Sequence, residues 1–192
     1  MNGIYWQLCD DHKHMQKLLD VFENLLQQLG KRERDPATLT LILDALDYFS
    51  VYPDQWHHPV EDLVFERLLG KPIDIRDVVD TVLREHQAIA AATRRMNTLF
   101  YAVANDAAVE REKLFGAARE YIELQRQHLK KENEILLPLV AQYLSAADWE
   151  EIGLQLDEKE SVHFHQGVKR IYEALLENLT EPTKVIAMPM AS

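Results

Sequence analysis

The sequence contains few of the residues that build disulfide-linked or turn-rich proteins. Its 192 residues include one cysteine, Cys9, together with six glycines and seven prolines. A single cysteine excludes an intramolecular disulfide and is typical of a reducing compartment. The scarcity of glycine and proline, alongside long stretches rich in Leu, Ala, Glu, Lys and Gln, favours an all-α protein.

The chain also lacks a long uncharged apolar run and an excess of basic residues. No stretch approaches the ~18 apolar residues of a membrane span. The first residues, MNGIYWQLCDDHKH, lack the basic start and apolar run of a secretory signal. Lysine and arginine number 21 against 32 aspartates and glutamates, a net charge of −11, whereas nucleic-acid binding needs clustered basic residues. We therefore expect a cytoplasmic protein that binds neither nucleic acid nor membrane.

Apolar residues recur at helical spacing in four long segments, which we predict to be helices. The segments run from about residue 4 to 29, 37 to 69, 75 to 104 and 107 to 144. Leu8 and Met15 mark the buried stripe of the first, Val82 and Ile89 that of the third, and Ile135 that of the fourth. Short connections between such helices are typical of an up-down-up-down four-helix bundle.

We assign the bundle to residues 1–145 and a C-terminal helical appendage of the same domain to residues 146–180. In the appendage, Ser145 is placed to cap a short segment, AADWEEIGLQL, and a last helix follows from about residue 158 to 179. We predict that residues 181–192 form a flexible tail.

Four of the eight histidines and two glutamates lie on the buried stripes, one set from each long helix. A buried carboxylate without a partner is costly, so it must be protonated, paired or bound to a cation. Counting residues from the turns brings the six side chains to a similar height in the bundle, because a helix rises ~1.5 Å per residue. The six residues are His12, His57, Glu61, His86, His128 and Glu132.

The same six residues form an internal repeat. Asp11-His12 is followed by His57-x-x-x-Glu61, and Glu85-His86 is followed by His128-x-x-x-Glu132. The His-x-x-x-Glu spacing places both side chains on one face of a helix. Two such pairs, in register with two further core histidines, indicate a metal site rather than a network of satisfied core histidines. Imidazole and carboxylate ligands suit iron, manganese or zinc.

The pattern DH…HHPVEDLVFERL…EH…HLKKENEILLPL is similar to the hemerythrin-like, HHE cation-binding family over about residues 8–144. The resemblance implies a four-helix bundle with a non-haem centre of two iron ions, bridged by carboxylates and an oxo or hydroxo group. Members of this family carry or sense oxygen, handle nitric oxide, sense iron or help to repair iron centres. The resemblance also implies the iron ligands, which are His12, His57, Glu61, His86, His128 and Glu132.

One position departs from the family pattern. Hemerythrins have a second histidine on the third helix, four residues before His86, where this chain has Val82. One iron then has a histidine fewer, which leaves a position for water, another residue or a substrate and argues against simple reversible oxygen carriage. His58 is an alternative fifth histidine ligand if Pro59 opens a bulge, because an ideal helix would rotate it about 100° from His57.

For the remaining polar candidates we predict structural or surface positions rather than metal binding. His14 is rotated about 200° from His12, so we predict that it faces outward. His163 and His165 have no His-x-x-x-Glu partner, and we predict structural roles for them. Asp11 and Glu85 precede candidate ligands but point elsewhere on an ideal helix, so we predict that both are surface residues.

The preferred functional hypothesis is a di-iron protein that binds, senses or scavenges a small diatomic or reactive species such as O₂, NO or peroxide, or that senses iron. One alternative is a di-iron enzyme: a ferroxidase, a peroxidase or an iron-centre repair protein. Another is an interaction module in which the metal only stabilises the fold. In that case the acidic surface and the C-terminal helix are candidates for binding a partner, including a second copy in a homodimer.

Overall fold

The computed structural model describes residues 2–31 and 36–158. Within these ranges the chain is helical and contains no strand, which confirms the predicted all-α fold. Two five-residue π-helical segments, here called the first and second π-turns, interrupt the α-helices. The elements in chain order are α1 (Gly3–Lys31), α2 (Pro36–Tyr52), the first π-turn (Pro53–His57), α3 (His58–Leu69), α4 (Arg76–Ala104), α5 (Arg111–Lys131), the second π-turn (Glu132–Leu136), α6 (Leu137–Tyr143) and α7 (Ala146–Glu158).

Proline and aspartate mark two of the helix boundaries. Pro36 is the first residue of α2, where the lack of an N–H matters little because the first helical N–H groups have no intrahelical partner. After α4, Asp106 adopts a φ of 60°, a left-handed conformation that reverses the chain before α5. These boundaries lie close to the predicted ones, because capping and turn residues are local signals.

The helices form four rods around a common core. α1 is the first rod, α2 to α3 the second, α4 the third, and α5 to α6 the fourth. α1 packs against α2 and α5, while α4 packs against α2, α3 and α5, so successive rods are neighbours in a closed ring. With short connections between them, this is an up-down-up-down bundle.

The core consists of two apolar halves on either side of a polar layer. Met15 and Ile89 belong to one half, which also contains the fully buried aromatic residues Phe22, Phe49, Phe100 and Tyr121. Leu8 and Val82 belong to the other half. His12 lies between Leu8 and Met15 on α1, and His86 lies between Val82 and Ile89 on α4. The candidate metal ligands therefore occupy the layer where the two halves meet.

Each π-turn ends shortly before a proline. The N–H of His58 bonds to the carbonyl of Pro53, and Pro59 follows. The N–H of Leu137 bonds to the carbonyl of Glu132, and Pro138 follows. A proline inside a helix has no N–H for the carbonyl four residues earlier, and its ring crowds that carbonyl. A wider turn relieves this crowding, which explains why both π-turns occur where they do.

The second π-turn overturns one expectation about the core. Ile135 was predicted to lie on the buried stripe of the fourth helix, but its side chain is 41% exposed. The π-turn inserts extra residues per turn and shifts the stripe by one position, so Leu136 is fully buried instead.

α7 follows the bundle as predicted, and Ser145 caps it. Trp149 of α7 contacts Tyr5 edge to face, and Asp148 forms ion pairs with Arg67 and Lys71 near the end of α3. Within residues 2–31 and 36–158, every helix is too short or too polar to cross a lipid bilayer. The predicted last helix beyond residue 158, with His163 and His165, and the predicted tail 181–192 lie outside the described residues.

Candidate metal centre

The structure brings the six predicted residues together in the polar layer. On one side, the Nε2 atoms of His12 and His57 are 3.0 Å apart. Oε1 of Glu61 is 3.0 Å from His12 Nε2 and 3.2 Å from His57 Nε2. The first His-x-x-x-Glu pair and the histidine of α1 thus point at a common volume.

On the other side, the second half of the repeat makes the equivalent arrangement. Nε2 of His128 is 3.2 Å from Oε2 of Glu132, and Nε2 of His86 is 3.5 Å from Oε1 of the same glutamate. All four rods therefore contribute at least one donor to the cluster.

Both glutamates face both halves of the cluster. Oε2 of Glu61 lies 3.6 Å from His86 Nε2, across the bundle from its partners His12 and His57. Oε2 of Glu132 lies 3.5 Å from His12 Nε2. Each carboxylate could therefore contact a cation held in either half of the cluster.

The six side chains are sealed from water, none more than 4% exposed. Six of the buried donor and acceptor atoms in this layer have no hydrogen-bond partner among the described residues: His58 Nε2, Glu61 Oε2, His86 Nε2, His128 Nε2 and both carboxylate oxygens of Glu132. Leaving such atoms unpaired costs about 1–3 kcal/mol each, and more for charged groups. A set of lone pairs that converge on one volume is chemically suited to a cation.

Two carboxylates lie within hydrogen-bonding distance of the Nδ1 atoms of two of the histidines. Nδ1 of His57 is 3.2 Å from Oδ2 of Asp11. Nδ1 of His128 is 3.3 Å from Oε2 of Glu85, which also pairs with Lys131. The sequence predicted surface positions for Asp11 and Glu85, and that prediction is wrong for Asp11, which is 2% exposed. Glu85 is half-buried and contacts a candidate ligand, so its predicted role was wrong as well.

A carboxylate oxygen and an amide oxygen lie within hydrogen-bonding distance of the Nδ1 atoms of the other two histidines. Nδ1 of His86 is 2.9 Å from Oδ1 of Asp62, and Nδ1 of His12 is 2.9 Å from Oδ1 of Asn133. Asp62 directly follows Glu61 in the sequence, and Asn133 directly follows Glu132. Neither residue was predicted from the sequence to take part in the site.

These outer contacts obey the internal repeat. The acidic residue that precedes a candidate ligand histidine on one rod hydrogen-bonds the histidine of the next rod, as Asp11 does with His57 and Glu85 with His128. The residue that follows each glutamate hydrogen-bonds a histidine of the other half of the repeat. An Nδ1–H that donates to an oxygen leaves the Nε2 lone pair for a metal, which is the usual way that proteins orient histidine ligands.

The carboxylates make the layer favour positive charge. Burial lowers the pKa of His57, but attraction to Glu61 and the hydrogen bond to Asp11 outweigh burial and raise that pKa to about 10. Burial likewise lowers the pKa of His86, and the hydrogen bond to Asp62 with the nearby glutamates raises it to about 9. Burial raises the pKa of Glu61, but the neighbouring histidines hold it well below its usual range.

His58, the alternative ligand in the sequence, is also in this layer. The bulge that the prediction required occurs at Pro53–His57, two residues before Pro59, and both His57 and His58 are buried. Burial lowers the pKa of His58 to about 4. At neutral pH, this ring is therefore uncharged and able to offer a lone pair.

His14 is outside the cluster, as predicted. Its side chain is half-buried beside Asp10, with 3.9 Å between His14 Nε2 and Asp10 Oδ2. It is a natural control residue for substitutions of the clustered histidines.

The donor atoms divide into two sets that could each hold a metal ion. Within each set, one donor atom per residue lies within 4.8 Å of the others. Glu61 belongs to both sets. Glu132 lies next to both, because its Oε2 atom is 3.5 Å from His12 Nε2 and 3.2 Å from His128 Nε2. The sets are His12, His57 and Glu61, and His58, Glu61, His86 and His128.

Comparison with protein families agrees with this geometry. The family model of the hemerythrin HHE cation-binding domain matches residues 4–140, which include all six predicted residues. Comparison with curated proteins found no match.

Proposed function

The chain belongs to the hemerythrin HHE cation-binding family, and from that premise we propose that it is a non-haem di-iron protein. In this proposal its role is to bind, sense or scavenge a small diatomic or reactive oxygen or nitrogen species, such as O₂, NO or peroxide, or to sense iron. The proposed ligands are His12, His57, Glu61, His86, His128 and Glu132.

The observation that carries the proposal is the sharing of Glu61 between two buried donor sets. A carboxylate whose two oxygens face different histidines is suited to bridge a pair of ions. Inward-facing glutamates and histidines on bundle helices are the usual construction of di-iron carboxylate sites. Imidazole and carboxylate donors also fit iron better than they fit calcium or magnesium, which prefer oxygen alone.

The charges of the residues fit two divalent ions. With metal bound, the four histidines would act as neutral donors, and the two glutamates would contribute two negative charges against the four positive charges of the ions. Asp11, Asp62 and Glu85 add negative charge behind three of the histidines. Hydrogen bonds of this kind make imidazole more basic and therefore a stronger donor.

When bound, iron supplies one-electron redox chemistry and coordination positions that accept a gas molecule. The chain supplies the surroundings. The side chains of the centre are buried between two apolar halves of the core, so access is restricted to molecules of a few atoms. The same apolar walls exclude bulk water, which favours uncharged ligands over ions.

Metal analysis with optical spectroscopy tests the proposal. Protein made with iron available should contain about two iron atoms per chain, because two donor sets share one carboxylate. The anaerobic reduced protein should change its visible spectrum on addition of NO and of O₂. A folded protein that holds a single zinc and refuses iron would overturn the proposal.

Substitutions test which residues bind the metal. His86→Ala and Glu132→Ala should lose iron, because each removes a buried donor and leaves the others without their cation. His14→Ala is the matched control, and it should retain the iron of the wild type. Equal losses in all three variants would show that iron is held elsewhere.

A further inference from the structure

His58 is buried in the polar layer with one ring nitrogen unsatisfied. Its side chain is 4% exposed, and its Nε2 atom has no hydrogen-bond partner within residues 2–31 and 36–158. Nδ1 lies 3.6 Å from Oδ1 of Asp54, one turn earlier on the same rod. The two ring nitrogens of His58 thus differ in their surroundings. Nδ1 lies near the carboxylate of Asp54, whereas Nε2 lies on the side of the buried cluster.

His58 packs directly against the two histidines of the second donor set. Its ring stacks on that of His86, with 4.1 Å between centroids and an angle of 14°. It meets the ring of His128 edge to face at 5.6 Å. One donor atom from each of these three histidines lies within 4.8 Å of the others and of a Glu61 oxygen.

The first π-turn explains how adjacent histidines can both face inward. In a regular α-helix, neighbouring side chains diverge by about 100°, which would send one of the pair out of the core. A π-turn contains more residues per turn and brings consecutive side chains closer in direction. His57 and His58 stand at its C-terminal end, and both are buried.

The described neighbours of His58 leave its Nε2 atom unsatisfied. A buried imidazole nitrogen needs a hydrogen-bond donor or a cation. Among the described residues, the Nε2 atoms of His86 and His128 are also without hydrogen-bond partners, so they do not satisfy it.

We propose that His58 is a seventh protein ligand of the centre and binds the same ion as His86 and His128. The inference rests on the di-iron proposal and adds a residue to it. The side of the layer with His86 and His128 would then offer three histidine donors, and the side with His12 and His57 would offer two.

Two variants of His58 and one control test the proposal. His58→Ala removes the donor, and His58→Gln keeps a polar side chain of similar length without the imidazole. His14→Ala removes a histidine outside the cluster. Far-ultraviolet circular dichroism of each metal-free protein establishes that it is folded, and anaerobic titration with Fe(II) gives the number and affinity of the bound ions.

Wild type and His14→Ala should bind two ions with the same affinities. Both His58 variants should bind one ion at least about tenfold more weakly, since even outer-shell changes at metal sites cost 10- to 100-fold. Mössbauer spectra of the diferrous wild type should show two iron environments, and His58→Ala should alter one of them. Imidazole added to His58→Ala should restore that environment.

Two results would overturn the inference, and they are distinguishable. If the wild type binds two ions and both His58 variants keep its affinities and spectrum, His58 is not a ligand while the di-iron proposal stands. If the wild type binds fewer than two iron ions, the di-iron proposal itself falls, and the assignment of His58 falls with it.

Discussion

At the scale of single residues, the centre depends on which nitrogen each histidine presents. A histidine has two ring nitrogens, and the one that donates a hydrogen bond is not available to a metal. Asp11, Asp62, Glu85 and Asn133 each accept from an Nδ1–H, so every one of the four predicted histidines presents Nε2 to the layer. These four oxygens are as much a part of the site as the nitrogens that they orient.

Removing the Asp11 carboxylate should weaken metal binding without removing a ligand. In Asp11→Leu, His57 loses its only described carboxylate at Nδ1, so its ring is free to rotate or change tautomer. We expect the affinity for Fe(II) to fall about 10- to 100-fold, the usual effect of losing such a partner. Competition titration with a chelator measures the change.

Asp10→Leu is the matched control for Asp11→Leu. Asp10 is the preceding residue, and its side chain is 49% exposed and pairs with Lys13 on the surface. Its replacement should leave the Fe(II) affinity unchanged. If both variants bind iron like the wild type, the hydrogen bond from His57 has no influence on the metal.

At the scale of secondary-structure elements, the two π-turns position candidate ligands that regular helices would misplace. The first ends at His57, and the second begins at Glu132. Each gives up regular α-helical hydrogen bonds next to a proline, which is a local loss of stability at a functional position. Natural proteins often carry such losses where the site requires an irregular backbone.

Replacing Pro59 should stabilise the metal-free fold and weaken metal binding. Pro59→Ala returns an N–H to the carbonyl of Gln55, so the first π-turn can relax towards α-helix and turn His57 and His58 away from the layer. We expect the metal-free variant to unfold at higher urea concentration, because a proline in a helix interior costs about 3 kcal/mol. Its Fe(II) affinity should fall.

Pro36→Ala separates this effect from a general effect of proline. Pro36 is the first residue of α2, where proline is well tolerated, so its replacement should change neither unfolding nor metal binding much. Urea unfolding and Fe(II) titration of both variants make the comparison. Wild-type affinity in Pro59→Ala would mean that the π-turn does not position the histidines.

The docking of α7 depends on one buried carboxylate. Asp148 accepts hydrogen bonds from Arg67 Nε and Lys71 Nζ, each at 2.6 Å. It also accepts from the N–H and hydroxyl of Ser145, each at 2.7 Å, and so caps its own helix. The hydrogen bond from Lys71 is the largest cause that holds the pKa of Asp148 well below its usual range; burial opposes the shift, and Ser145 and Arg67 add to it.

This lowered pKa predicts how the stability contribution of Asp148 depends on pH. A carboxylate with a depressed pKa in the folded state stabilises the fold above its unfolded pKa of about 3.9, and that stability is lost as the pH falls towards the folded value. Asp148→Asn should lower the free energy of unfolding by about 1–3 kcal/mol at pH 7. The difference from wild type should narrow below about pH 4.

Glu151→Gln is the control for the pH experiment. Glu151 also pairs with Arg67, at 2.7 Å, but its side chain is 51% exposed. An exposed ion pair contributes only about 0–1 kcal/mol, so this variant should remain close to wild type. Urea unfolding at pH 7 and pH 3 measures both variants. A constant difference between Asp148→Asn and wild type across this range would contradict the assignment.

At the scale of the whole molecule, the polar layer divides one bundle core into two. The apolar halves pack on either side of it, and the layer itself holds at least six buried titratable side chains. An ordinary bundle would fill this level with leucines. The arrangement is therefore favourable only if the converging donors are satisfied together, and a shared cation does so.

Much of this arrangement follows from sequence periodicity, which correctly placed Leu8, Met15, Val82 and Ile89 in the core. Its failure at Ile135 has a clear physical cause, since a helical stripe assumes a constant number of residues per turn and the second π-turn breaks that assumption. Pro138 was the signal that could have revealed it.

Asp11 and Glu85 were misplaced for a different reason. Asp11 lies three residues after Leu8 and four before Met15, and Glu85 stands in the same relation to Val82 and Ile89, so both belong to the wide buried face. Their partners are on neighbouring rods. The apolar pattern of one helix does not reveal how the neighbouring helix is rotated about its own axis. Contacts between side chains of different rods are therefore seen only in the packed structure.

Iron removal should therefore destabilise the entire bundle rather than one segment. A ligand that binds only the folded state stabilises it by RT ln(1 + [L]/Kd), about 4 kcal/mol at 1,000 times Kd. Because all four rods contribute proposed ligands, we expect a single cooperative thermal transition whose midpoint falls when a chelator strips the iron. In His86→Ala, which lacks a proposed ligand, the chelator should lower the midpoint much less. A wild-type midpoint that is the same with and without iron would show that the layer is stable as a hydrogen-bonded network of histidines and glutamates, and that metal binding is not coupled to the fold.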